Sequence, residues 1–312
     1  MKPIITLLEK DKNKQIKKES SKIISTIAKK NPILIKPLIS EIFQAINEQE
    51  ASVKITLFKS LLEIAKSSPE IIPVSNVINF LSDKDSFIRE TSTRILGFIG
   101  KRDTLLTANS LINTALIDEE WIVREAAASS LGILIDYIEN KEEIIGKLVH
   151  LLDDEENWVK RTALKMLSKI EEVNTSHLSF EKLSKNFISK DYNVREASTR
   201  LLKIYSNQIE ELFDIIVDLL GDKSKEVRTS IVNILVEIIR DVGINKILSK
   251  LLQNLSAERS LEIQQSIALI LGRTVKYGDK NIKKRVIPLL KARCEMTQDP
   301  IICETLYQFK ES

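Results

Sequence analysis

One short pattern of apolar and polar positions recurs along this chain. Its clearest copy is Asp118-Glu119-Glu120-Trp121-Ile122-Val123-Arg124-Glu125-Ala126-Ala127-Ala128-Ser129-Ser130-Leu131. It reads as an acid, a few polar residues, a β-branched residue, a base, small residues and then Leu. The β-branched residue, here called the anchor, recurs at Ile16, Val53, Ile88, Val123, Val159, Val194, Val227 and Ile263. A repeated spacing of this size marks stacked supersecondary units. Four residues after the anchors stand Ser20, Leu57, Ser92, Ala127, Ala163, Ser198, Ile231 and Ile267. Eight residues after them stand Ile24, Leu61, Leu96, Leu131, Leu167, Leu202, Leu235 and Leu271. On a helix these three positions fall within about 80°, so they form one buried stripe. The anchor therefore opens a helix, called B.

Apolar pairs such as Ala45-Ile46, Phe80-Leu81 and Leu151-Leu152 precede the anchors and belong to a first helix, A. Pro32, Pro37, Pro69 and Pro73 fall near the starts of A helices, where a missing N–H is harmless. Gly97, Gly132 and Gly272 follow the recurring Leu, and a glycine inside a helix predicts a close crossing. A ninth, truncated copy centres on Ile302, with Pro288 near the start of its A helix, and is expected to cap the chain as a half-repeat. An acid stands five residues before most anchors: Asp11, Glu48, Asp83, Asp118, Asp154, Asp222 and Glu258. Placed at a helix start, it is expected to accept orphan backbone N–H groups. Repeat six has Ser189 there instead, with Asp191 nearby.

The pattern Asp-x4-Val-Arg-x2-Ala-x3-Leu resembles the HEAT repeat, in particular the HEAT-like form of phycobilin-lyase-type repeats and adaptin scaffolds. The resemblance covers essentially residues 1–312 as a single domain. It implies an all-α, right-handed α-solenoid of eight to nine two-helix repeats, A helices convex and B helices concave, each touching only its neighbours. It also implies a ladder, in which each acid meets the base that follows an anchor: Lys17, Lys54, Arg89, Arg124, Lys160, Arg195 or Arg228. Gln264 interrupts that ladder in repeat eight.

Some HEAT-like proteins are enzymes that hold iron through His-Glu pairs. Here the only histidines, His150 and His177, are each followed by Leu. No phosphate-binding glycine loop or nucleophile elbow occurs either. The expectation is a non-catalytic chain with no metal, no cofactor and no small-molecule substrate. The 8 Gly and 7 Pro argue against a turn-rich β fold. No apolar stretch reaches the roughly 20 residues that span a bilayer. Cys294 and Cys303 give neither a disulfide framework nor a zinc pattern, so a cytoplasmic location is the expectation.

Two surfaces could bind a partner. On helix B, positions six and thirteen past the anchor lie opposite the buried stripe. They carry Lys22, Lys59, Arg94, Lys165 and Arg200, and Lys29, Lys66, Lys101, Arg240 and Lys276, a basic stripe in a chain of net charge only +3. Glu90–Arg94 and Glu196–Arg200 are i,i+4 pairs that need no ligand. The second surface is the ridge of A–B turns, where Phe87, Trp121, Trp158 and Tyr192 precede four consecutive anchors. Residues 118–156 around it carry 12 acids against 3 bases, which favours a basic protein partner. The expected function is a scaffold for protein partners. The alternative is nucleic-acid binding by the Lys/Arg stripe, which lacks stacking aromatics.

Overall fold

A computed structural model describes residues 2–47, 49–257, 259–274 and 280–311. Glu48, Glu258 and Lys276 lie outside them. The described residues form helices joined by turns and loops, and no strand. Helices alternate as the repeat predicts. Repeats one to three pair α1 (Lys2–Lys10) with α2 (Lys14–Lys30), α3 (Ile39–Ile46) with α4 (Ala51–Ser67), and α5 (Val74–Ile78) with α6 (Ser86–Ile99). Repeats four to six pair α7 (Thr104–Asn113) with α8 (Trp121–Leu134), α9 (Glu142–His150) with α10 (Asn157–Leu167), and α11 (Phe180–Phe187) with α12 (Tyr192–Thr199). The last three pair α13 (Ile209–Ile216) with α14 (Lys225–Val242), α15 (Leu248–Ser256) with α16 (Leu261–Thr274), and α17 (Lys280–Thr297) with α18 (Pro300–Glu311).

The chain divides into two compact units, Met1–Met166 and Leu167–Ser312. In the first, the B helices stack in order, α2 on α4, α4 on α6 and α6 on α8. In the second, α12, α14, α16 and α18 do the same. Every residue named above at four and eight past an anchor is buried, and so are the anchors from Val53 onward. Ile16 departs, being 37% exposed, because α2 has no B helix stacked before it. The glycines mark close crossings. A Cβ on Gly97 of α6 would come within 2.7 Å of Ser130 Oγ and 3.2 Å of Ser130 Cα in α8. One on Gly132 would strike the Met166 side chain.

Three expectations are corrected. The acid five residues before the anchor does not cap helix B. Asp83, Asp118 and Asp154 each accept the backbone N–H two residues on at 2.9 Å, bracing the turn that precedes the helix. Helix B starts two residues before the anchor, so the cap falls nearer to it. There Asn13, Asp85, Asp191 and Ser224 accept the first free N–H groups. Pro288 lies inside α17, well past its first turn. It is exposed there, so the carbonyl it leaves without an N–H donor can be solvated. Cys294 and Cys303, finally, are joined in a disulfide. Nine residues apart, they sit on consecutive antiparallel helices with Cα atoms 4.9 Å apart, a proximity created by the tight turn between α17 and α18.

Candidate functional site

A ladder of nearly buried ion pairs joins successive repeats. In the first unit Lys54 Nζ meets Asp83 at 2.9 Å, Arg89 Nε meets Asp118 at 2.7 Å, and Arg124 Nε meets Asp154 at 2.7 Å. In the second, Arg195 Nε meets Asp222 at 2.6 Å. Each base reaches the acid of the following repeat. The arginines also donate from Nη1 to the carbonyl six residues back, as Arg124 does to Asp118 O at 2.9 Å. The carboxylate hydrogen bonds raise Arg89, Arg124 and Arg195 above the ordinary guanidinium value. Burial alone would raise Asp154 and Asp222. Hydrogen bonds from the guanidinium and from a backbone N–H outweigh it and hold both below the usual carboxylate range.

The ladder is interrupted where the sequence changes. Repeat six offers Ser189 Oγ, which accepts Asp191 N–H at 3.3 Å and preserves the turn without an acid. Gln264 keeps the contact to its own turn, donating to Arg259 O at 2.8 Å, but its buried Oε1 accepts nothing. Its neighbour Gln265 instead donates to Asp299 at 2.7 Å.

The basic stripe lies on the exposed or half-buried side of the B helices, and much of it is internally compensated. Arg94 is held between Glu90 and Glu125, the latter at 2.8 Å. Lys22 pairs with Glu19, Lys66 with Glu63 and Arg200 with Glu196, at 2.8, 2.9 and 2.7 Å. Lys101 donates to Tyr137 Oη at 2.8 Å, and Lys165 and Arg240 are likewise engaged. Lys29 is exposed at the end of α2.

The aromatic ridge is not a separate surface. Phe87, Trp121, Trp158 and Tyr192 all occupy the first turn of a B helix, one or two residues before the anchor. Helical rotation sets these positions and the stripe positions within about 100° of one another. Lys59 Nζ sits 5.4 Å from the Phe87 ring centroid, and the Arg161 guanidinium sits 5.3 Å from that of Trp158. In the second unit Tyr192, Arg200 and Asn233 line one groove of about 740 Å³, floored by Thr229, Ser230 and Ile234 between α12 and α14. Trp158 is 55% exposed and Tyr192 45%, whereas Phe87 and Trp121 are half-buried. The anchor arithmetic could have shown this shared face. The acids that neutralise it, Glu125 above all, stand out only once neighbouring helices are stacked.

Little else on the surface suggests chemistry. Among the described residues no cluster of three or more His, Cys, Asp or Glu is placed to hold a metal ion. His150 is exposed in the last turn of α9, and His177 Nδ1 accepts Asn174 N–H at 3.2 Å. No described helix is long and apolar enough to cross a membrane.

Comparison with known proteins agrees with the geometry. Residues 108–203 match the family model for HEAT repeats. No curated protein matches the chain by sequence. Among solved structures, an engineered protein is similar over 99% of this chain and 87% of its own, with a TM-score of 0.61 and 19% identity. YibA of Escherichia coli is similar over 88% of this chain and 92% of its own, with a TM-score of 0.54 and 22% identity. Importin beta, crystallised in an ammonium sulfate condition, is similar over 99% of this chain but 45% of its own, with a TM-score of 0.64 and 14% identity. At these identities the likeness is one of fold. Residues 108–203 thus match the HEAT-repeat family model, and the chain shares a helical-repeat fold with these solved structures.

Proposed function

We propose that this chain is a non-catalytic scaffold that binds protein partners on the solvent face of its B helices. The observation that carries the reading is the groove in the second unit, where Tyr192 of the aromatic row and Arg200 of the stripe open onto one cavity. An aromatic anchor beside hydrogen-bonding side chains is the composition that protein interfaces favour. The charge pairing supports a protein partner over nucleic acid. Phosphate-backbone affinity grows with the number of cations free to replace counterions, and Arg94 and Arg200 already face carboxylates. A cytoplasmic location belongs to the same proposal. The Cys294–Cys303 bridge is the observation against it, since disulfides persist chiefly in oxidising compartments. Thiol alkylation in intact cells, followed by mass spectrometry, decides that point.

The test is affinity capture from the native cell with quantitative mass spectrometry. Replacing Tyr192 and Arg200 together by Ala should deplete the captured partner about tenfold, the loss of one interface hot spot. Unchanged recovery refutes the groove. Retention on immobilised duplex DNA that weakens steeply with salt would favour the nucleic-acid alternative instead.

A further inference from the structure

Arg89, Arg94, Arg124 and Arg195 on the B helices each face a carboxylate, and Arg161 does not. Two residues past the anchor Val159, it lies over the Trp158 ring and forms no ion pair among the described residues. Its Nε is buried and finds no acceptor. Glu125, at the same repeat position in α8, receives Arg94 Nη2 at 2.8 Å on one oxygen and Thr162 Oγ1 at 2.9 Å on the other. Both oxygens of that carboxylate are engaged. Trp158 remains 55% exposed despite the guanidinium stacked on it.

A charged side chain that is partly withdrawn from water and left without a counter-ion is unfavourable. One carboxylate laid against the Nη edge of Arg161, which is not buried, would supply the missing counter-ion. An apolar group beside it would cover the exposed indole. We propose that Trp158 and Arg161 form an anchor for a protein segment that presents a carboxylate next to an apolar side chain. The proposal rests on the scaffold reading and names the chemistry of a partner at one point of the first unit. The planar guanidinium suits a carboxylate, and Trp and Arg are the side chains that dominate interface energetics. The surroundings select one carboxylate over a phosphate backbone. Glu155, 83% exposed, and Glu156 lie in the turn immediately before α10. A nucleic acid would bring many negative charges against these acids, whereas a peptide brings one.

The chain has two tryptophans, so Trp121→Phe leaves Trp158 as the sole indole reporter. The full-length Trp121→Phe protein is titrated with acetyl-Leu-Glu-amide, acetyl-Leu-Gln-amide and inorganic phosphate while Trp fluorescence is followed. The Glu peptide should give a saturable change, with the Gln peptide about tenfold weaker, the difference between a charged and a neutral hydrogen bond. Arg161→Gln should abolish that preference, and Arg161→Lys should keep part of it. Arg161→Gln should also melt close to its parent, because the side chain it removes has no ion-pair partner and loses only its contact with the Trp158 ring. A structural role would lower the melting temperature. Equal binding of the two peptides, no titration by either, or an Arg161→Gln protein that still prefers Glu overturns the proposal. Tighter binding of phosphate than of the Glu peptide overturns it in favour of a phosphoryl ligand. These outcomes bear on the anchor alone, since the scaffold reading stands or falls on the Tyr192 and Arg200 capture.

Discussion

Removing one rung of the ladder tests whether these ion pairs act as buried contacts or as surface ones. Asp154→Ala in α9–α10 is the cleanest case. Its carboxylate accepts Arg124 Nε at 2.7 Å and Nη2 at 2.9 Å, and the two side chains are 6% and 11% exposed. The substitution leaves two guanidinium donors without their acceptor in a nearly dry seam, with the exposed Glu155 at 3.7 Å as the remaining counter-ion. Breaking a buried pair from one side costs about 3–5 kcal/mol. Partial solvent access and the surviving bond from Arg124 Nη1 to Asp118 O place the expectation near the lower figure, about 3 kcal/mol. For a unit of this size that corresponds to a fall of about 6–12 °C in the melting temperature. Thermal unfolding followed by circular dichroism measures it, and hydrogen exchange should show the loss concentrated in α8 and α10. The double variant Arg124→Met with Asp154→Leu removes both charges and should recover about 2 kcal/mol relative to the sum of the singles. The exposed pair Lys66–Glu63 serves as control, worth only about 0.2–0.5 kcal/mol. A loss below about 1 kcal/mol for Asp154→Ala, or a coupling no larger than the control's, would show that the ladder contributes no more than a surface pair.

The same rungs set the acid limit. Asp154 and Asp222 titrate lower in the folded chain than the ordinary value of about 3.9, so their contribution is complete above that pH. It declines as pH falls through the folded values, and acid unfolding should therefore begin below about pH 4 and later still in salt-free buffer. Burial pushes Tyr205, whose hydroxyl donates to Leu178 O, up to about 12. Titration at 295 nm should show Tyr205 ionising last. Stability should hold below about pH 10 and drop as pH rises toward 12, because only the unfolded chain ionises this group in that interval. Gly97→Ala drives a Cβ into Ser130 and should cost about 1–3 kcal/mol. In the same assay Gly146→Ala, where a Cβ meets nothing within 4 Å in α9, should be neutral or stabilising. Replacing Cys294 and Cys303 by Ser should release a constraint worth about 2–3 kcal/mol and increase exchange in α18.

The helical stack was legible because one side-chain period repeats with little change. Val or Ile at the anchor and Leu eight residues on place the buried stripe wherever the pattern occurs, and seven of eight anchors are buried as a result. Ile16 fails because burial requires a neighbour as well as a period. The binding face was legible only in pieces. Phe87, Trp121, Trp158 and Tyr192 were visible as aromatics before the anchors, and Lys59 and Arg200 as members of a stripe. Within each unit, aromatics and bases share one face because of the rotation of the helix.

Composition and spacing by themselves settled that this chain is helical, where its helices pair, and which acid and base recur in each layer. Those properties are local, because propensity, period and turn chemistry act within some 35 residues. Only packing decided which charges survive as free charges. Arg94 meets Glu125 from 31 residues away, Thr162 then occupies that carboxylate's second oxygen, and Arg161 is left beside an exposed tryptophan. An ion pair depends on distances of a few ångströms between layers, and those distances are set by how closely small residues such as Gly97 let the helices approach.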